Sequence, residues 1–436
     1  MELHGENPGQ NVIAVIPARF ASARLPGKLL LDLGGRALIL HTLEQASNAS
    51  LVDRVIVATD DSRIFDVVRS AGGEAVMTSS GHASGSDRIA EVAENLPGGS
   101  IVVNVQGDEP FIAPETIDAV AAALLADRNA DIATACETIS DISQLYDPNV
   151  VKVVFGENGN ALYFSRSPVP FPRDAVIRHG DPKSAIVNEP ELLRIFRKHT
   201  GIYAYRREYL LAFSRLPQTK LEKIEMLEQL RALENGAKIK VVEAHARSIG
   251  IDTEEDLAEA RREFEARSVT IRPAAVGDVP QIAGVHVESW QRSFKGIAPE
   301  DYLNSLSKEK RERAFTERLF ENGYKLFVAE SKTAGVIGFI DFGRPGFENF
   351  GYDVRIYSFY LLPEFQRRGI GARLFKQCFT EIARHGYSSA CLDTLEMSPY
   401  RRFYEKHGGT EVARDKHMLG GREFVTIIYG WDDVRQ

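Results

Sequence analysis

Residues 12–30, VIAVIPARFASARLPGKLL, decide how the first half of the chain folds. Val12, Ile13, Ala14, Val15 and Ile16 form an apolar, β-branched run with the character of a buried strand. The run feeds a loop holding Arg19, Arg24, Gly27 and Lys28 with small residues between them. A loop after the first strand of a parallel sheet lies at the carboxyl edge, where open α/β folds bind ligands. Backbone N–H groups there can cradle phosphates, and fixed cations can neutralise them. The spacing is not GxxxxGK[ST], which disfavours an ATPase phosphate loop. A surface loop with solvated basic residues is the plainer alternative, and local pattern does not separate the two.

Outward from this stretch the same alternation continues. RVIVAT, SIVVNV and DIATAC read as buried strands, and segments around 38–48, 61–71, 86–95 and 114–126 carry helical periodicity. Alternating strands and helices predict a parallel sheet with helices on both faces. From residue 150 the pattern changes to VVKVVF, ALYF and GIYAYR, with a Pro-rich loop, SPVPFPRD, among them. Long amphipathic helices are expected at about 221–233 and 253–266, flanking a strand in KIKVVEA. At Val269 the string VTIRPA opens a second series of strands and helices, so RREFEARS (261–268) is the expected seam. The reading gives two domains, 10–266 and 268–432, with no fixed-period repeat.

Composition narrows the function. The chain has 436 residues, 44% hydrophobic and 26% charged, the balance of an ordinary globular protein. The net charge of −8 argues against coating nucleic acid or an anionic membrane. An anionic substrate must then be met by a local basic cluster. Three cysteines, Cys136, Cys378 and Cys391, without CxxC spacing do not make a disulfide framework and suggest a reducing compartment. The apolar run after the polar start MELHGENPGQ is too short for a signal segment or a membrane span. A cytoplasmic location is the expectation.

Two further strings carry acid groups. VNVQGDEPF ends a strand in Gln106, Gly107, Asp108 and Glu109. A carboxylate at a strand end suits Mg²⁺, which takes one or two carboxylates plus substrate phosphates. Such an Asp is otherwise a cap or turn former for the helix beginning near Pro114. In IGIDTEEDL, Asp252 precedes a helix, and Asp252-Thr253 can equally be an N-cap with Glu255 completing a capping box.

Together these strings are specific. IPARFASARLPGK, ATDD, HASGSDRIAE, NVQGDEP, YFSR, HTGIYAYR, LEKIEMLEQLR and GIDTEEDL, in this order over roughly residues 10–265, closely resemble the cytidylyltransferases that activate 3-deoxy-D-manno-octulosonate (Kdo). The resemblance implies a Rossmann-like, glycosyltransferase-A-like nucleotidyltransferase domain. It implies Mg²⁺-dependent transfer of CMP from CTP to Kdo, giving CMP-Kdo and pyrophosphate for lipopolysaccharide synthesis. Arg19, Arg24 and Lys28 would hold the triphosphate, with Arg88 a further contact, and Asp108 and Asp252 would share Mg²⁺. For the sugar acid the resemblance points to Gln106, Arg166, His199, Tyr203, Glu228 and Gln229, with Arg166 suited to a bidentate carboxylate. A homodimer is also implied. Ser86-Asp87 stands where Thr-Glu is usual, and Glu254 where Pro commonly follows Asp-Thr, which leaves the exact sugar open.

The second series is decided by YSFYLLPEFQRRGIGARLFKQCF (357–379). A strand ends near Leu361, a loop carries Gln366, Arg367 and Arg368, and Gly369, Gly371 and Ala372 open an amphipathic helix. Glycines let a pyrophosphate approach backbone amides at a helix N-terminus. With VTIRPAAVGDVPQIAGVH and RRFYEKHGGTEV, the segment 268–432 resembles the GNAT N-acyltransferases, an α+β fold. That implies acetyl-CoA as co-substrate and Tyr404 as the general acid, with a purely packing role for Tyr404 as the alternative. Glu288 and Asp341 are possible acceptor-side bases, and Cys378 and Cys391 read as core. The expected whole is a bifunctional enzyme acting on small molecules, its acyl acceptor an unidentified amine. The alternatives are an amino-substituted or other ulosonic acid as sugar, and a non-catalytic CoA-binding module as second half. If both sites serve one pathway, the acceptor is an amine on a sugar acid, its precursor or its CMP conjugate.

Overall fold

The computed structural model describes residues 10–22, 24–246, 249–319, 324–344 and 350–435. The chain divides into two compact units, Met1–Ala260 and Arg261–Gln436.

The first unit is organised around β1 (Val12–Ala18), whose residues Val12–Ile16 are at most 3% exposed. Burying each such aliphatic side chain stabilises the fold by roughly 1.5–3 kcal/mol. Parallel neighbours are β2 (Arg54–Thr59) and, beyond it, β3 (Glu74–Met77) on one side, with β4 (Ile101–Asn104) on the other. β3 has no strong apolar alternation and was not expected. Helices α1 (Leu38–Ser47), α2 (Ser62–Ser70), α3 (Gly85–Ala93) and α4 (Pro114–Ala126) follow the strands as the periodicity predicts.

The sheet is mixed, not purely parallel. Beyond β4 lie β5 (Ile132–Thr138), β6 (Lys152–Phe155), β7 (Ala161–Ser165), β8 (Arg197–Arg206) and β9 (Ile239–Glu243), and the order is β9-β5-β8-β4-β1-β2-β3. β8 runs antiparallel between β4 and β5, because the chain returns to the sheet after the long excursion from 139 to 196. Its register sets Tyr203 opposite Asn104 and His199 opposite Cys136. The beginning of β8 therefore lies at the carboxyl ends of β4 and β5.

The helix expected at 221–233 is broken into α5 (Lys220–Glu225) and α6 (Gln229–Glu234), with Met226 left-handed at φ 52°. Two interactions explain the break, one from a distant segment and one across the turn itself. Arg166 takes the carbonyls of Glu225 (2.7 Å) and Met226 (3.4 Å), acceptors that a continuous helix would use itself. Arg231 also reaches back across the turn to Glu222, both about 95% buried. The last helix, α7 (Glu254–Ser268), opens with a capping box different from the one expected. Thr253 Oγ1 accepts from Asp256 N (3.1 Å), and Asp256 Oδ2 accepts from Thr253 N (2.9 Å) and Asp252 N (3.0 Å). Glu255 has no part in it, and the Asp252 side chain is left for other work.

The second unit is a seven-stranded sheet. Its strands are β10 (Thr270–Pro273), β11 (Lys325–Ser331), β12 (Gly335–Gly343), β13 (Val354–Leu361), β14 (Ala390–Leu395), β15 (Thr410–Leu419) and β16 (Arg422–Trp431), in the order β10-β11-β12-β13-β14-β16-β15. Helices α8 (Val279–Ser293), α9 (Lys308–Leu319), α10 (Ile370–Arg384) and α11 (Arg401–Lys406) accompany it. Among the described residues β13 and β14 are the one parallel pair, joined at Val354–Ala390, Arg355–Cys391 and Ile356–Leu392. Past Ile356 and Leu392 the strands part into a fork. All three cysteines are buried thiols outside any disulfide; burial pushes the Cys136 and Cys391 thiols up to about 11, and that of Cys378 upward too. No helix among the described residues is long and apolar enough to cross a membrane.

Two stability predictions follow from these buried charges. Glu222→Ala strands the Arg231 guanidinium and should cost the first unit about 3–5 kcal/mol in urea unfolding followed by circular dichroism; a loss under about 1 kcal/mol would show that the pair does not hold the α5–α6 turn. In the second unit Asp341 is fully buried, and burial pushes its carboxyl up to about 6 against the lowering effect of the Tyr324 hydroxyl bonded to it. A raised carboxyl pKa gives stability that is complete below the unfolded value near 4 and is lost as pH rises through about 6. The stability of wild type relative to Asp341→Asn should therefore fall by about 2–3 kcal/mol between pH 4 and 7. Both tryptophans, Trp290 and Trp431, lie in this unit, so their fluorescence reads it selectively. A pH-independent difference would contradict the burial argument.

Candidate active sites

In the first unit the carboxyl ends of β4, β1 and β2 share one edge, and each supplies a loop to the site. The loop after β1 turns at Gly27, left-handed at φ 66°, where a Cβ would stand 3.0 Å from the Phe20 ring. Only glycine meets both demands. The turn is tied by Gly27 N to Phe20 O (3.2 Å) and delivers Lys28 at the start of a 3-10 turn, Lys28–Leu30.

Lys28 is the centre of the site. Its Nζ donates to Asp108 Oδ2, to Asp252 Oδ1 (2.9 Å) and to the Ile251 carbonyl (2.9 Å). Arg24 Nη2 donates to the other Asp252 oxygen, Oδ2, at 2.7 Å. A backbone bond from Ile251 N to Asp108 O (3.0 Å) fixes the two acidic segments to each other. Burial alone would lower the Lys28 pKa, but the two carboxylates outweigh it and hold it above the ordinary value. Burial would likewise raise Asp252, and Lys28 and Arg24 instead hold it low. Both groups stay ionised. Asp108 is not the cap of α4, whose N-cap is Ala113.

The donor set suits Mg²⁺. Two carboxylates from distant segments, Asp108 and Asp252, converge on one cation, the Lys28 ammonium, and are the residues that would hold a metal. No group of three or more His, Cys, Asp or Glu side chains able to hold a metal occurs among the described residues, so phosphate and water would complete the shell.

Arg19 is exposed on the same loop. Arg88 differs from expectation. It is 3% exposed and bound to Asp60 Oδ2 (2.8 Å) and Thr78 Oγ1 (2.6 Å), while Asp60 Oδ1 accepts from Phe20 N (3.3 Å). Its guanidinium props the loop from behind. Arg166 is likewise engaged, through Glu225 O and Met226 O and with Pro148 O at 2.7 Å, so three of its N–H donors go to carbonyls. That geometry makes it a strut for the 225–228 turn, where a bidentate carboxylate clamp was expected.

His199, Tyr203 and Glu228 line up along β8 and that turn. His199 Nε2 pairs with Thr134 Oγ1 (2.8 Å), and its ring packs edge-on to Phe164 and tilted against Tyr203. Burial drops its pKa to about 3, so the imidazole is neutral. Tyr203 is pushed far up by burial and stays a phenol. Glu228 accepts from Ser86 Oγ (2.8 Å) and Ser84 Oγ (3.1 Å), and burial raises its pKa. The serines of SGSDR thus hold a carboxylate. Gln229 is buried at the start of α6, and Gln106 Nε2 reaches Asn104 Oδ1 at 3.3 Å.

In the second unit the fork between β13 and β14 opens a cavity of about 880 Å³. Leu361, Gln366, Arg367, Gly369, Gly371, Ala372 and Tyr404 all line it. The backbone is left-handed at Arg367 (φ 63°) and Gly369 (φ 76°), two sharp turns directly ahead of α10. Gln366 Nε2 donates to the Leu361 carbonyl (2.8 Å) and closes the strand end. Arg368 does not line the cavity; it lies over the Phe365 ring at 5.8 Å and reaches Arg262 O at 3.5 Å. Tyr404 is 8% exposed, and burial holds its hydroxyl protonated.

Neither proposed base lines the fork. Glu288 is paired with Arg292 (2.8 Å), and Asp341 is sealed against Tyr324. Asp393, on β14 just beyond the last paired residue, is the one carboxylate among the described residues lining it and is bound by Arg355. Ser289 Oγ, 2% exposed and without a hydrogen-bond partner, lines the same cavity. No local motif marks either residue; each gains its meaning from where the strands part.

The family model described as cytidylyltransferase matches residues 13–239, and that of the acetyltransferase (GNAT) domain matches residues 322–408. The 3-deoxy-manno-octulosonate cytidylyltransferase of Pelobacter propionicus is 51% identical over 256 residues, covering 59% of this chain and 98% of that protein. The enzyme of the same name from Trichlorobacter lovleyi is 48% identical over 254 residues, covering 58% of this chain and 98% of its own length. A solved structure of CMP:2-keto-3-deoxy-manno-octonic acid synthetase complexed with CTP is 40% identical, with TM-score 0.52, and covers 58% of this chain and 97% of that one. The loop that presents Lys28 to two carboxylates thus lies within a cytidylyltransferase domain, and the chain belongs to the 3-deoxy-manno-octulosonate cytidylyltransferase family, with a GNAT domain following on the same polypeptide.

Proposed function

We propose that the first unit transfers CMP from CTP to the anomeric hydroxyl of Kdo, releasing pyrophosphate and supplying CMP-Kdo for lipopolysaccharide synthesis. The observation that carries this reading is the convergence of Lys28, Asp108 and Asp252 at the sheet's carboxyl edge. Relatives with 48–51% identity bear the corresponding name, and a similar structure was solved with CTP.

The attacking hydroxyl displaces pyrophosphate at the α-phosphorus, so the protein's task is positioning and charge neutralisation. Arg19, Arg24 and Lys28 provide three cations on one loop for the triphosphate. Asp108 and Asp252 would hold Mg²⁺, which supplies charge neutralisation at phosphate and lowers the pKa of a bound hydroxyl. Gln106, His199, Tyr203, Glu228 and Gln229 meet the sugar acid. Neutral His199 and protonated Tyr203 offer hydrogen bonds to the sugar acid without adding charge to the subsite. Arg166 acts on this subsite through the turn that carries Glu228.

The second unit we read as an acetyl-CoA-dependent N-acyltransferase. The turns at Arg367 and Gly369 present the amino end of α10 to the pyrophosphate. Tyr404 is the proton donor to the leaving thiolate, and Asp393 faces the amine.

The test of the first reading is mass spectrometry of CTP incubated with a panel of sugar acids. CMP-Kdo should form, and Asp108→Asn or Asp252→Asn should slow it by about 10²–10³-fold. No CMP conjugate with any sugar acid, or wild-type rates in either variant, would refute it. For the second reading, Gly371→Glu sets a carboxylate on the first turn of α10. Calorimetric affinity for acetyl-CoA should fall at least about tenfold, and unchanged affinity would put the pyrophosphate elsewhere.

A further inference from the structure

The cations that meet the triphosphate in the proposed function are the same ones that occupy the metal's carboxylates in its absence. Lys28 Nζ carries three N–H donors, and all three are used: Asp108 Oδ2, Asp252 Oδ1 and Ile251 O. Arg24 covers the remaining Asp252 oxygen. Two cations face two carboxylates, so the cluster is neutral as it stands. The Lys28 side chain is 12% exposed, so little water competes for this arrangement.

A divalent cation entering this cluster must displace Lys28 from both acids. The ammonium would then be left beside the metal with only the neutral Ile251 carbonyl to bind. A nucleotide triphosphate changes the balance, because its oxygens offer Lys28 and Arg24 other anions and give the metal further ligands. Both cations ride on the loop after β1, whereas the two acids are on other segments joined by the Ile251–Asp108 backbone bond. The loop can therefore move its cations onto phosphate while the acids remain in register.

We propose that Lys28, assisted by Arg24, is a resident counter-ion that keeps a divalent metal off Asp108 and Asp252 until a nucleotide triphosphate draws it away, so that metal and nucleotide bind with positive coupling. This rests on the cytidylyl-transfer reading for the identity of the nucleotide, and on the ion pairs alone for the occupancy. The coupling is reciprocal: the metal tightens CTP by the factor by which CTP tightens the metal.

The experiment is Mn²⁺ titration of the full chain followed by electron paramagnetic resonance, without nucleotide and with CTP, the latter corrected by a CTP-only blank. No sugar acid is present, so nothing turns over. Wild type should bind Mn²⁺ at least tenfold more weakly without CTP than with it. Lys28→Met, which keeps the side-chain length and removes the charge, should bind Mn²⁺ without nucleotide at least tenfold more tightly than wild type. Lys28→Arg should behave as wild type. Arg24→Gln, at a side chain 66% exposed and so no threat to folding, should tighten nucleotide-free Mn²⁺ in the same direction by a smaller factor. Adding Asp108→Asn to Lys28→Met should reverse the gain. The proposal is overturned if nucleotide-free wild type binds Mn²⁺ as tightly as the CTP complex, or if neither Lys28→Met nor Arg24→Gln binds it more tightly than wild type. Absence of any CTP binding would overturn the nucleotide assignment instead, and the nucleotide-free titrations would still decide the occupancy.

Discussion

One ammonium group between two carboxylates sets the geometry of the first unit. Lys28, Asp108 and Asp252 come from three distant segments, and each is delivered by a feature that exists for that purpose. Gly27 supplies the left-handed turn, the buried strands β1 and β4 fix the edge, and Thr253, boxed with Asp256, caps α7 in place of Asp252. Because the cap is made by the neighbour, the Asp252 carboxylate is released into the site. Arg88 and Asp60 brace the loop from the opposite side, through the Phe20 amide. A charged cluster in a partly buried cleft is costly unless fully paired, and this one is paired internally.

The second unit solves a different problem with a different constraint. Its cavity is made by the loss of strand pairing after Ile356 and Leu392, and no charge network is needed to open it. Parallel strands that cease to bond leave their backbone groups to find other partners, as Gln366 does for the Leu361 carbonyl. The cavity lining carries the cations Arg367, Arg402 and Lys406, and Asp393 is the single acid among the described residues lining it. That asymmetry suits a phosphate-bearing cofactor and an amine.

Much of this was legible in the residues. Strands such as Val12–Ile16 announce themselves because they are buried on both faces and β-branched, and the helices that follow carry their own periodicity. The loop carrying Arg24 and Lys28, the two acids and the Gly369–Gly371 turn are each marked by local sequence, and the structure brings Lys28, Arg24, Asp108 and Asp252 together. What escaped depends on partners far along the chain. The α5–α6 break is invisible in LEKIEMLEQLR, because Arg166 takes the carbonyls that would have continued the helix. Arg88 and Arg166 look like ligand contacts beside their motifs, yet Asp60, Thr78 and three carbonyls claim them. The antiparallel course of β8 is set by where the chain re-enters the sheet, which periodicity does not encode. Asp393 acquires a role only through the register that ends one residue before it.

Lys28 is proposed to hold the metal's place and to yield it to substrate. The most direct measurement is a crystal structure of the chain with CTP and Mg²⁺ bound. Lys28 Nζ should then lie within hydrogen-bond distance of a phosphate oxygen, with Asp108 and Asp252 both ligating the cation. Lys28 still lodged between the two carboxylates, with nucleotide bound and the metal elsewhere, would contradict it.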